Sequence, residues 1–422
     1  MLSVIKKIIE AGIFKKLQPY YHLSLAFISA LIYRFPSHHL KVAAITGTKG
    51  KTTSTELVSA LLEAGGFKTA IVSTLRFKSG DQTERNLLKM TTPGRFFLQK
   101  FLRQAVNAGC DYVVMELSSE GAKLYRHAFI DLDALIFTNL SPEHIESHGS
   151  YANYVQAKLN IAKALKQSPK QDKVLVANGD DKEAEKFLAF NIPNKIKFTA
   201  KDAEPYELRD DGSVITFAGQ KIETQLPGLF NVYNMLGAAF YAQSQSVTPE
   251  QIKTALEKFS GVAGRMQPVI ATFHKAEQNF EVIVDYAHTA DSLKAAYSVY
   301  AGKRKLICVL GSCGGGRDKW KRPEMGKVAN QYCDEIILTN EDPYDEDPQC
   351  IVDDVATGIT KGYDIIMDRR DAIHEALTRA TPGSVVILTG KGTDPYMMGP
   401  NDTKLPWSDA DVAQEELDKI LA

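Results

Sequence analysis

The sequence lacks close cysteine pairs, an excess of charge of either sign, and an apolar run long enough to cross a membrane. Its five cysteines, Cys110, Cys308, Cys313, Cys333 and Cys350, form no Cys-x-x-Cys motif, which disfavours a zinc ribbon or a dithiol redox site. We therefore expect reduced thiols and a cytoplasmic location. The net charge of −1 over 422 residues gives no indication of general binding to nucleic acid or to an acidic membrane.

The most apolar part of the chain, residues 20–37, lies in a first segment of 40 residues. Its uninterrupted core, residues 23–33, has 11 residues, whereas a transmembrane helix needs about 20. No small-residue cleavage site follows it, as a secretory signal would require. We predict a short helical segment over residues 1–40 that packs against the rest of the protein. An interfacial membrane anchor and a signal-like segment are the alternatives.

From residue 41 onward, short apolar runs alternate with segments of helical length. This alternation predicts an α/β fold with mostly parallel sheets covered by helices on both faces. Residues 178–228 instead alternate polar and apolar side chains around Asp-Gly and Ala-Gly, which indicates an antiparallel edge. The β/α alternation restarts near residue 262. We predict a P-loop-type central domain over residues 41–261 and a Rossmann-like C-terminal domain over residues 262–422.

Residues 47–53 read Gly-Thr-Lys-Gly-Lys-Thr-Thr between a predicted strand and a predicted helix. Such a loop offers backbone N–H groups, a helix N-terminus and Lys51 to a polyphosphate, and Thr52 or Thr53 to Mg²⁺. The loop is shorter than the common phosphate-binding pattern, because Ile45 stands where the first glycine would be. A lysine- and glycine-rich surface turn is the alternative.

Polar side chains follow the predicted strands, at the edge where parallel sheets bind their ligands. Glu116 ends one strand and would place a metal-binding carboxylate opposite the phosphate loop, whereas a solvated strand-end acid is the alternative. His144, His148 and Lys158 follow the next strand; each alone would be a packing, capping or surface residue. The glycine-rich loop 311–319 does not match a dinucleotide fingerprint.

In their order along the chain, these motifs resemble the Mur ligase family, the ATP-dependent amino-acid ligases of peptidoglycan precursor synthesis. Within it, the chain is most similar to the UDP-N-acetylmuramoyl-tripeptide synthetases. The resemblance covers about residues 41–415 and includes, besides the phosphate loop, the segments MELSSE, FTNLSPEHIESHG, FNVYN, GRM, VDYAHT, GRDKWKRPEMG, NEDPYDEDP and LTGKG.

This resemblance implies an ATP-dependent amide-forming ligase. ATP phosphorylates a carboxylate of a UDP-MurNAc-dipeptide acceptor, and the amine of a free amino acid attacks the resulting acyl phosphate, so that ADP and phosphate are released. It also implies ATP and Mg²⁺ as cofactors. From the net charge and the short apolar run we expect neither a nucleic-acid partner nor a stable membrane span, and we expect a monomer.

The resemblance also assigns roles to individual residues of this chain. The groups that bind ATP are Gly47, Thr48, Lys49, Gly50, Lys51, Thr52, Thr53, Asn231, Asn234 and Arg265. The metal ligands are Thr52, Glu116, His144 and Lys158. The catalytic set adds Asp285 and, as a candidate orienting group beside it, His288. The groups that bind the acceptor or the amino acid are Thr91, Thr92, Ser118, Arg126, Arg317, Asp342, Gly390 and Asp394.

Lys158 is carbamylated in the family, and its ten-residue spacing from His148 matches the family pattern. The chemistry agrees, because a protonated amine is a poor Mg²⁺ ligand whereas a lysine carbamate is an anionic oxygen donor.

The chain departs from the family at its start and in the amino-acid motif. Only 40 residues precede the predicted first strand, too few for the usual UDP-binding domain, so we expect either another mode of UDP binding or a different carrier. Tyr344 replaces the arginine that makes a bidentate contact with a second carboxylate. Asp342 and Asp394 add negative charge, so we predict a basic amino acid such as lysine rather than meso-diaminopimelate. Replacement of the arginine from the glycine loop, by Arg317, Lys319 or Arg322, is the alternative.

Two other functions stay open from the sequence. A folylpolyglutamate-synthetase-like ligase would share the scaffold without the UDP-binding domain. A non-catalytic nucleotide-binding homologue would have lost catalytic residues, although the catalytic set named above is present.

Overall fold

The structure, a computed structural model, describes the backbone of residues 13–422 and the side chains of residues 18–422. Helix α1 (Ile13–Ile32) agrees with the predicted N-terminal helical segment, and residues 1–12 of that segment lie outside the described residues. Helix α1 packs on helix α3 (Arg95–Asn107). Among the described helices, none is both long and apolar enough to cross a membrane.

An eight-stranded sheet organises the first part of the chain, with the strand order β4-β3-β2-β5-β1-β6-β7-β8. Strands β2, β5, β1, β6, β7 and β8 are parallel, and β3 and β4 add an antiparallel edge. The central strands are buried on both faces, which explains their continuous apolar runs. The strands are β1 (Lys41–Thr46), β2 (Thr69–Val72), β3 (Arg76–Ser79), β4 (Gln82–Arg85), β5 (Tyr112–Glu116), β6 (Ala134–Phe137), β7 (Val174–Asn178) and β8 (Asn194–Phe198).

Helices cover both faces of this sheet, and each face has its own hydrophobic core. Besides α1 and α3, the helices are α2 (Lys51–Ala64), α4 (Ser119–Lys123), α5 (Ile145–His148), α6 (Tyr151–Gln167), α7 (Ala184–Leu188), α8 (Leu229–Ser244) and α9 (Pro249–Lys258). Single 3₁₀ turns occur at Pro36–His39 and Ala200–Ala203.

The predicted antiparallel segment forms its own three-stranded sheet rather than an edge of the large one. Its strands are β9 (Glu207–Leu208), β10 (Ser213–Phe217) and β11 (Gln220–Thr224). Ile215, Phe217 and Ile222 pack into the core on one face of the large sheet. The alternating pattern correctly predicted that one face of these strands is buried. That face is buried because it packs against helices, not because the strands pair with the large sheet.

A six-stranded sheet organises the second part, with the order β12-β13-β17-β14-β15-β16. All its strands are parallel except β12. The strands are β12 (Gln267–Val269), β13 (Glu281–Asp285), β14 (Leu306–Leu310), β15 (Glu335–Leu338), β16 (Asp364–Ile365) and β17 (Val385–Thr389), followed by the hairpin β18 (Tyr396–Met398) and β19 (Lys404–Pro406). The helices are α10 (Ala290–Tyr297), α11 (Lys321–Tyr332), α12 (Pro348–Ala356), α13 (Arg369–Thr378) and α14 (Asp409–Ile420), with a 3₁₀ turn at Pro400–Asp402.

The expectation of free thiols is wrong for one pair of cysteines. Cys308 of β14 and Cys333, which directly follows α11, form a disulfide with their Cα atoms 6.0 Å apart. Because 25 residues separate them in the sequence, only the packing of the helix against the sheet reveals their proximity. Cys110, Cys313 and Cys350 are free.

Candidate active site

A cavity of about 870 Å³ lies where the carboxyl ends of the two parallel sheets face each other. The first part of the chain contributes the phosphate loop and the loops after β5 and β6, and the second part contributes the loop after β13 and the glycine-rich loop. Of the predicted phosphate-loop residues, all except Gly47 line this cavity.

Two glycines allow the phosphate loop to pack closely against its neighbours. A Cβ atom on Gly47 would lie 1.9 Å from Oγ1 of Thr138, and one on Gly50 would lie 2.3 Å from Oδ1 of Asn234. Gly50 also has a left-handed φ of 82° and precedes the first residue of α2. The loop therefore presents the N-terminus of α2 to the cavity, an arrangement that binds anions.

Lys51 lies over this loop. Its Nζ donates hydrogen bonds to the carbonyl oxygens of Gly47 and Thr48, both at 2.9 Å. Burial lowers the pKa of Lys51, while the nearby carboxylates of Glu116 and Glu143 raise it. The ammonium group is thus held within reach of a phosphate bound by the loop.

Glu116 is fully buried at the end of β5. Its carboxylate accepts hydrogen bonds from the backbone N–H of Thr74 at 2.8 Å and from the Thr74 hydroxyl at 3.0 Å, and it also contacts the Thr52 hydroxyl. Burial raises the pKa of Glu116, against the opposing effect of Lys51. The structure thus brings together Thr52 and Glu116, two of the predicted metal ligands.

Lys158 lies on the buried face of α6, and its side chain is inaccessible to solvent. Its Nζ donates to the carbonyl oxygen of Gly47 at 2.7 Å. Burial and the neighbouring Lys51 hold the pKa of Lys158 well below its usual range. His144 lies nearby at the cavity wall with a φ of 58°, and burial lowers its pKa to about 4.

The described residues include no cluster of three or more His, Cys, Asp or Glu side chains placed to hold a metal ion. Mg²⁺ keeps several waters and takes one or two protein carboxylates together with substrate phosphates, so it does not need such a cluster. Glu116 and Thr52 beside the phosphate loop are such a donor set.

Glu143 is a cavity residue that the sequence reasoning missed. Its Oε1 accepts a hydrogen bond from Nζ of Lys49 at 2.9 Å and lies 3.0 Å from Nε2 of His288. Burial alone would raise the pKa of Glu143, but the ammonium of Lys49 holds it well below its usual range. The signal available in the sequence was its position directly before His144, in a motif that had already been singled out.

His288 contacts residues from both parts of the chain. Its Nδ1 donates to the carbonyl oxygen of Tyr286 at 2.6 Å, and Nε2 faces Glu143 from the other part of the chain. Asp285 instead accepts backbone N–H groups of Met266 at 2.8 Å and Ala287 at 2.7 Å, and so fixes the loops on either side. His288 is therefore oriented by Glu143 and Tyr286, not by Asp285.

Arg265 also lines the cavity, with its guanidinium group 4.3 Å from the centre of the Tyr286 ring. It forms no ion pair with Asp285 among the described contacts, although its charge opposes the burial effect that raises the pKa of Asp285. Asn231 and Asn234, in the first two turns of α8, line the same cavity and are joined by a 3.2 Å hydrogen bond.

The residues predicted to bind the acceptor, Thr91, Thr92, Ser118 and Arg126, all line one part of the cavity. Thr92 Oγ1 donates to the Glu116 carbonyl oxygen at 3.1 Å and accepts from the Ser118 N–H at 2.9 Å. Arg126 donates to the Thr92 carbonyl oxygen. These contacts connect the predicted acceptor residues to the strand that carries the predicted metal-binding carboxylate.

Two of the four residues predicted to bind the amino acid do not reach the cavity. Arg317 and Asp394 line it, whereas Asp342 and Gly390 are buried and do not line it. The Asp342 carboxylate is already occupied, because it accepts from Nζ of Lys391 at 2.7 Å and from Nζ of Lys89 at 3.0 Å. Nζ of Lys89 also lies 3.2 Å from Asp394. The two acids are therefore paired with lysines and do not form the free acidic wall assumed from the sequence.

The comparison with protein families matches most of the chain. Residues 45–242 match the Mur ligase middle domain, and residues 264–392 match the Mur ligase, glutamate ligase domain. The chain belongs to the Mur ligase family. The predicted family resemblance is thus confirmed, together with the α/β fold class.

Relatives of this Mur ligase include two proteins named UDP-N-acetylmuramoyl-L-alanyl-D-glutamate--2,6-diaminopimelate ligase. The one from Syntrophomonas wolfei is 38% identical over 409 residues, which are 93% of this chain and 81% of the relative. The one from Thermosynechococcus vestitus is 37% identical over 413 residues, with 93% and 80% covered.

Solved structures show the same fold. A structure of a UDP-N-acetylmuramoyl-L-alanyl-D-glutamate--2,6-diaminopimelate ligase aligns with a TM-score of 0.60 and 27% identity, over 90% of this chain and 78% of the other. A Mycobacterium tuberculosis folylpolyglutamate synthase complexed with ADP aligns with a TM-score of 0.68 over 87% of this chain and 91% of the other. Its identity of 16% supports the shared fold alone.

Proposed function

We propose that this Mur ligase uses ATP to join diaminopimelate to UDP-N-acetylmuramoyl-L-alanyl-D-glutamate, with release of ADP and phosphate, in the cytoplasm. The observation that carries the proposal is a single cavity lined by the phosphate loop, Glu116 and the predicted acceptor residues. The names of the relatives supply the substrate class. The reaction would serve peptidoglycan precursor synthesis.

The chemistry follows from the charges around the phosphate loop. Lys51 and the N-terminus of α2 would stabilise negative charge on the terminal phosphates of ATP while the γ-phosphoryl group moves to the acceptor carboxylate. Thr52 and Glu116 would hold Mg²⁺, which supplies further neutralisation of phosphate charge. His288, oriented by Glu143 across the cavity, is placed to orient the attacking amine.

We further propose that Lys158 is carbamylated in the active protein. The reaction needs the neutral amine, and burial favours that form because it lowers the pKa of Lys158. The nitrogen bonds to the carbon of CO₂, a proton leaves to solvent, and an anionic oxygen donor results. Together with His144, this group would serve the second metal position that the family resemblance implies.

The Lys158 proposal is tested by replacing Lys158 with alanine, which should abolish turnover. Added short carboxylates should restore part of the activity by filling the vacant oxygen position. A ¹³C-NMR carbamate signal after incubation with ¹³CO₂, present in the wild type and missing in Lys158→Ala, reports the modification independently of activity. Full activity of the folded Lys158→Ala protein would contradict the proposal.

We propose diaminopimelate as the amino-acid substrate, in place of the basic amino acid predicted from the sequence. That prediction rested on unpaired acids, but Asp342 and Asp394 are both paired with Lys89. Arg317 lines the cavity and contacts Tyr344, the residue that stands in place of the usual arginine. A guanidinium group at this position suits the second carboxylate of diaminopimelate.

The deciding experiment measures product formation with two acceptors and two amino acids. The acceptors are the UDP-muramoyl dipeptide and a folate, and the amino acids are meso-diaminopimelate and lysine at equal concentrations. We expect the highest kcat/KM with the dipeptide and diaminopimelate, one ADP per product, and no turnover with Lys51→Ala. Formation of AMP, turnover of folate alone, or no turnover with any combination would overturn the proposal.

A further inference from the structure

Helix α1 exposes an unusually apolar face. Its exposed large side chains are Tyr20, Tyr21, Phe27, Ile28, Leu31 and Ile32, with exposed fractions from 44% to 69%. The intervals of three and four residues place them on one side of the helix. We call these six side chains the α1 face.

The opposite side of α1 carries smaller residues and is already packed against the protein. Ala26, Ser29 and Ala30 are fully buried there. A helix that served only the protein core would direct its large apolar side chains inward and its small or polar ones outward. In helix α1 the six large side chains of the α1 face point outward while Ala26, Ser29 and Ala30 point inward, so the α1 face is suited to an apolar partner.

The rest of the protein holds this helix firmly at its C-terminal end. Arg103 of α3 donates hydrogen bonds to the carbonyl oxygens of Tyr33 and Arg34, both at 3.0 Å. The ring of Phe27 lies 5.4 Å from that of Phe129, which is itself 41% exposed and extends the apolar surface. The α1 face is thus presented on a fixed element of the fold.

Charge identifies the kind of partner. Residues 1–40 contain four lysines and one arginine against one glutamate, a formal charge of +4, whereas the whole chain carries −1. Residues 11–55 contain no Asp or Glu. A basic segment with an apolar, aromatic-rich helical face suits the surface of an anionic bilayer, where the apolar side chains enter the headgroup region and the cations face the lipid phosphates.

Helix α1 lies close to the predicted acceptor end of the cavity, on the side opposite to the α1 face. Burial lowers the pKa of His22, on the other side of α1, and the charges of the nearby Arg95 and Arg126 lower it further. Arg126 lines the cavity. A surface bound by α1 would therefore lie beside the part of the cavity that contains the predicted acceptor residues.

We propose that the α1 face binds an anionic phospholipid bilayer, with α1 lying in the interface rather than across the membrane. A second copy of the chain is the competing occupant. It is disfavoured because two such segments would bring their positive charges together. This inference goes beyond the proposed ligase function and does not depend on it.

The test is flotation of the full chain with vesicles of phosphatidylcholine alone or with added phosphatidylglycerol. We expect binding to the anionic vesicles, weaker binding in high salt, and little binding to the neutral ones. The double variant Ile28→Glu, Leu31→Glu should lower the partition coefficient by about tenfold or more. A matched control, Phe273→Glu, Leu405→Glu, introduces the same charge at positions that are 81% and 59% exposed elsewhere and should bind like the wild type.

A second variant tests membrane binding even if the first variant does not fold. Leu31→Trp should fold normally, because Leu31 is exposed, and its fluorescence should shift to shorter wavelength when anionic vesicles are added. The proposal is overturned if the wild type does not float, if both double variants bind equally, or if the α1 substitutions abolish a dimer while vesicle binding is absent.

Discussion

Burial sets the charge state of several cavity side chains more strongly than pairing does. Lys51 and Lys158 have lowered pKa values although carboxylates lie near them, and burial lowers the pKa of His144 to about 4. At neutral pH, His144 is therefore a neutral ring that can accept a hydrogen bond or bind a metal ion. Glu143 keeps its negative charge because Lys49 is directly paired with it.

His127 allows a test of this effect away from the cavity. It is 7% exposed, its Nδ1 has no hydrogen-bond partner, and burial lowers its pKa to about 4. Below the unfolded pKa of about 6.5, the unfolded chain binds a proton that the native protein does not. The stability contributed by neutral His127 is therefore complete above that pH and is lost as the pH falls towards 4.

We expect His127→Phe to reduce the loss of unfolding free energy between pH 7 and pH 5 by about 2 kcal/mol. Urea unfolding of both proteins at the two pH values measures it, and the difference between the proteins removes the contribution of the other histidines. An equal loss of stability in wild type and variant would show that His127 is not the titrating group.

Lys89 controls the charge of the predicted amino-acid pocket. Burial lowers the pKa of Lys89, but the carboxylates of Asp394 and Asp342 raise it by more, so the net shift is upward. Lys89→Met should remove one of the two lysine charges that balance these acids, Lys391 being the other. We expect the kcat/KM ratio of lysine to diaminopimelate to rise by about tenfold, because Asp394 lines the cavity. Competition assays measure the ratio, with Lys303→Met, a change at an exposed position outside the cavity, as the control. An unchanged ratio would remove Lys89 from the specificity pocket.

At the scale of single elements, the conformation of the short phosphate loop depends on the residues that pack against it. Strand β1 ends at Thr46, helix α2 begins at Lys51, and the four residues between them contact the strand-end loop after β6 and helix α8. Thr138 and Asn234 fill the space that a Cβ atom on Gly47 or Gly50 would require. The loop is thus shaped by close packing as well as by its backbone angles.

Gly50→Ala tests this packing against a matched control, Gly66→Ala, beyond the other end of α2. Gly50 and Gly66 have similar φ values of 82° and 88°, but no atom lies within 4 Å of a Cβ placed on Gly66. Both alanines should cost about 1 kcal/mol of backbone strain. We expect only Gly50→Ala to weaken ATP binding, by about tenfold or more, because it displaces Asn234. Titration calorimetry measures both, and equal affinities would contradict the packing argument.

At the scale of the whole molecule, the two halves meet through polar contacts around the cavity. The Asp318 carboxylate, from the glycine-rich loop, accepts the backbone N–H groups of Ile145 at 3.3 Å and Glu146 at 3.0 Å. Glu143 meets His288, and Lys89 meets Asp342 and Asp394, across the same boundary. These contacts are suited to closure around bound substrates, which would exclude water from an acyl phosphate.

Asp318→Ala should loosen this closure without touching the phosphate loop. We expect the number of ADP molecules formed per amide product to rise about twofold or more, since water would compete with the amine for the acyl phosphate. Parallel ADP and product assays measure this ratio. Asp353→Ala, at an exposed position of α12 outside the cavity, should leave it unchanged. A ratio of one in both variants would show that Asp318 does not maintain closure.

The sequence by itself determined the α/β class, the main parallel strands and the family of this protein. These features depend on local patterns: continuous apolar runs for strands buried on both faces, and a glycine loop between a strand and a helix. Lys51, Glu116 and His144 could be placed near a common site because strand-end residues of parallel sheets meet at one edge. Arg265 was placed there only by the family resemblance.

Only the tertiary structure decided which side chains pair across the chain. Lys89 neutralises Asp342 and Asp394, which are more than 250 residues away in the sequence, and this pairing cancels the negative charge predicted for the amino-acid pocket. The Glu143–His288 contact, the Cys308–Cys333 disulfide and the outward orientation of the α1 face likewise depend on how distant elements pack. Periodicity shows that a helix has an apolar side, but only packing shows whether that side is covered.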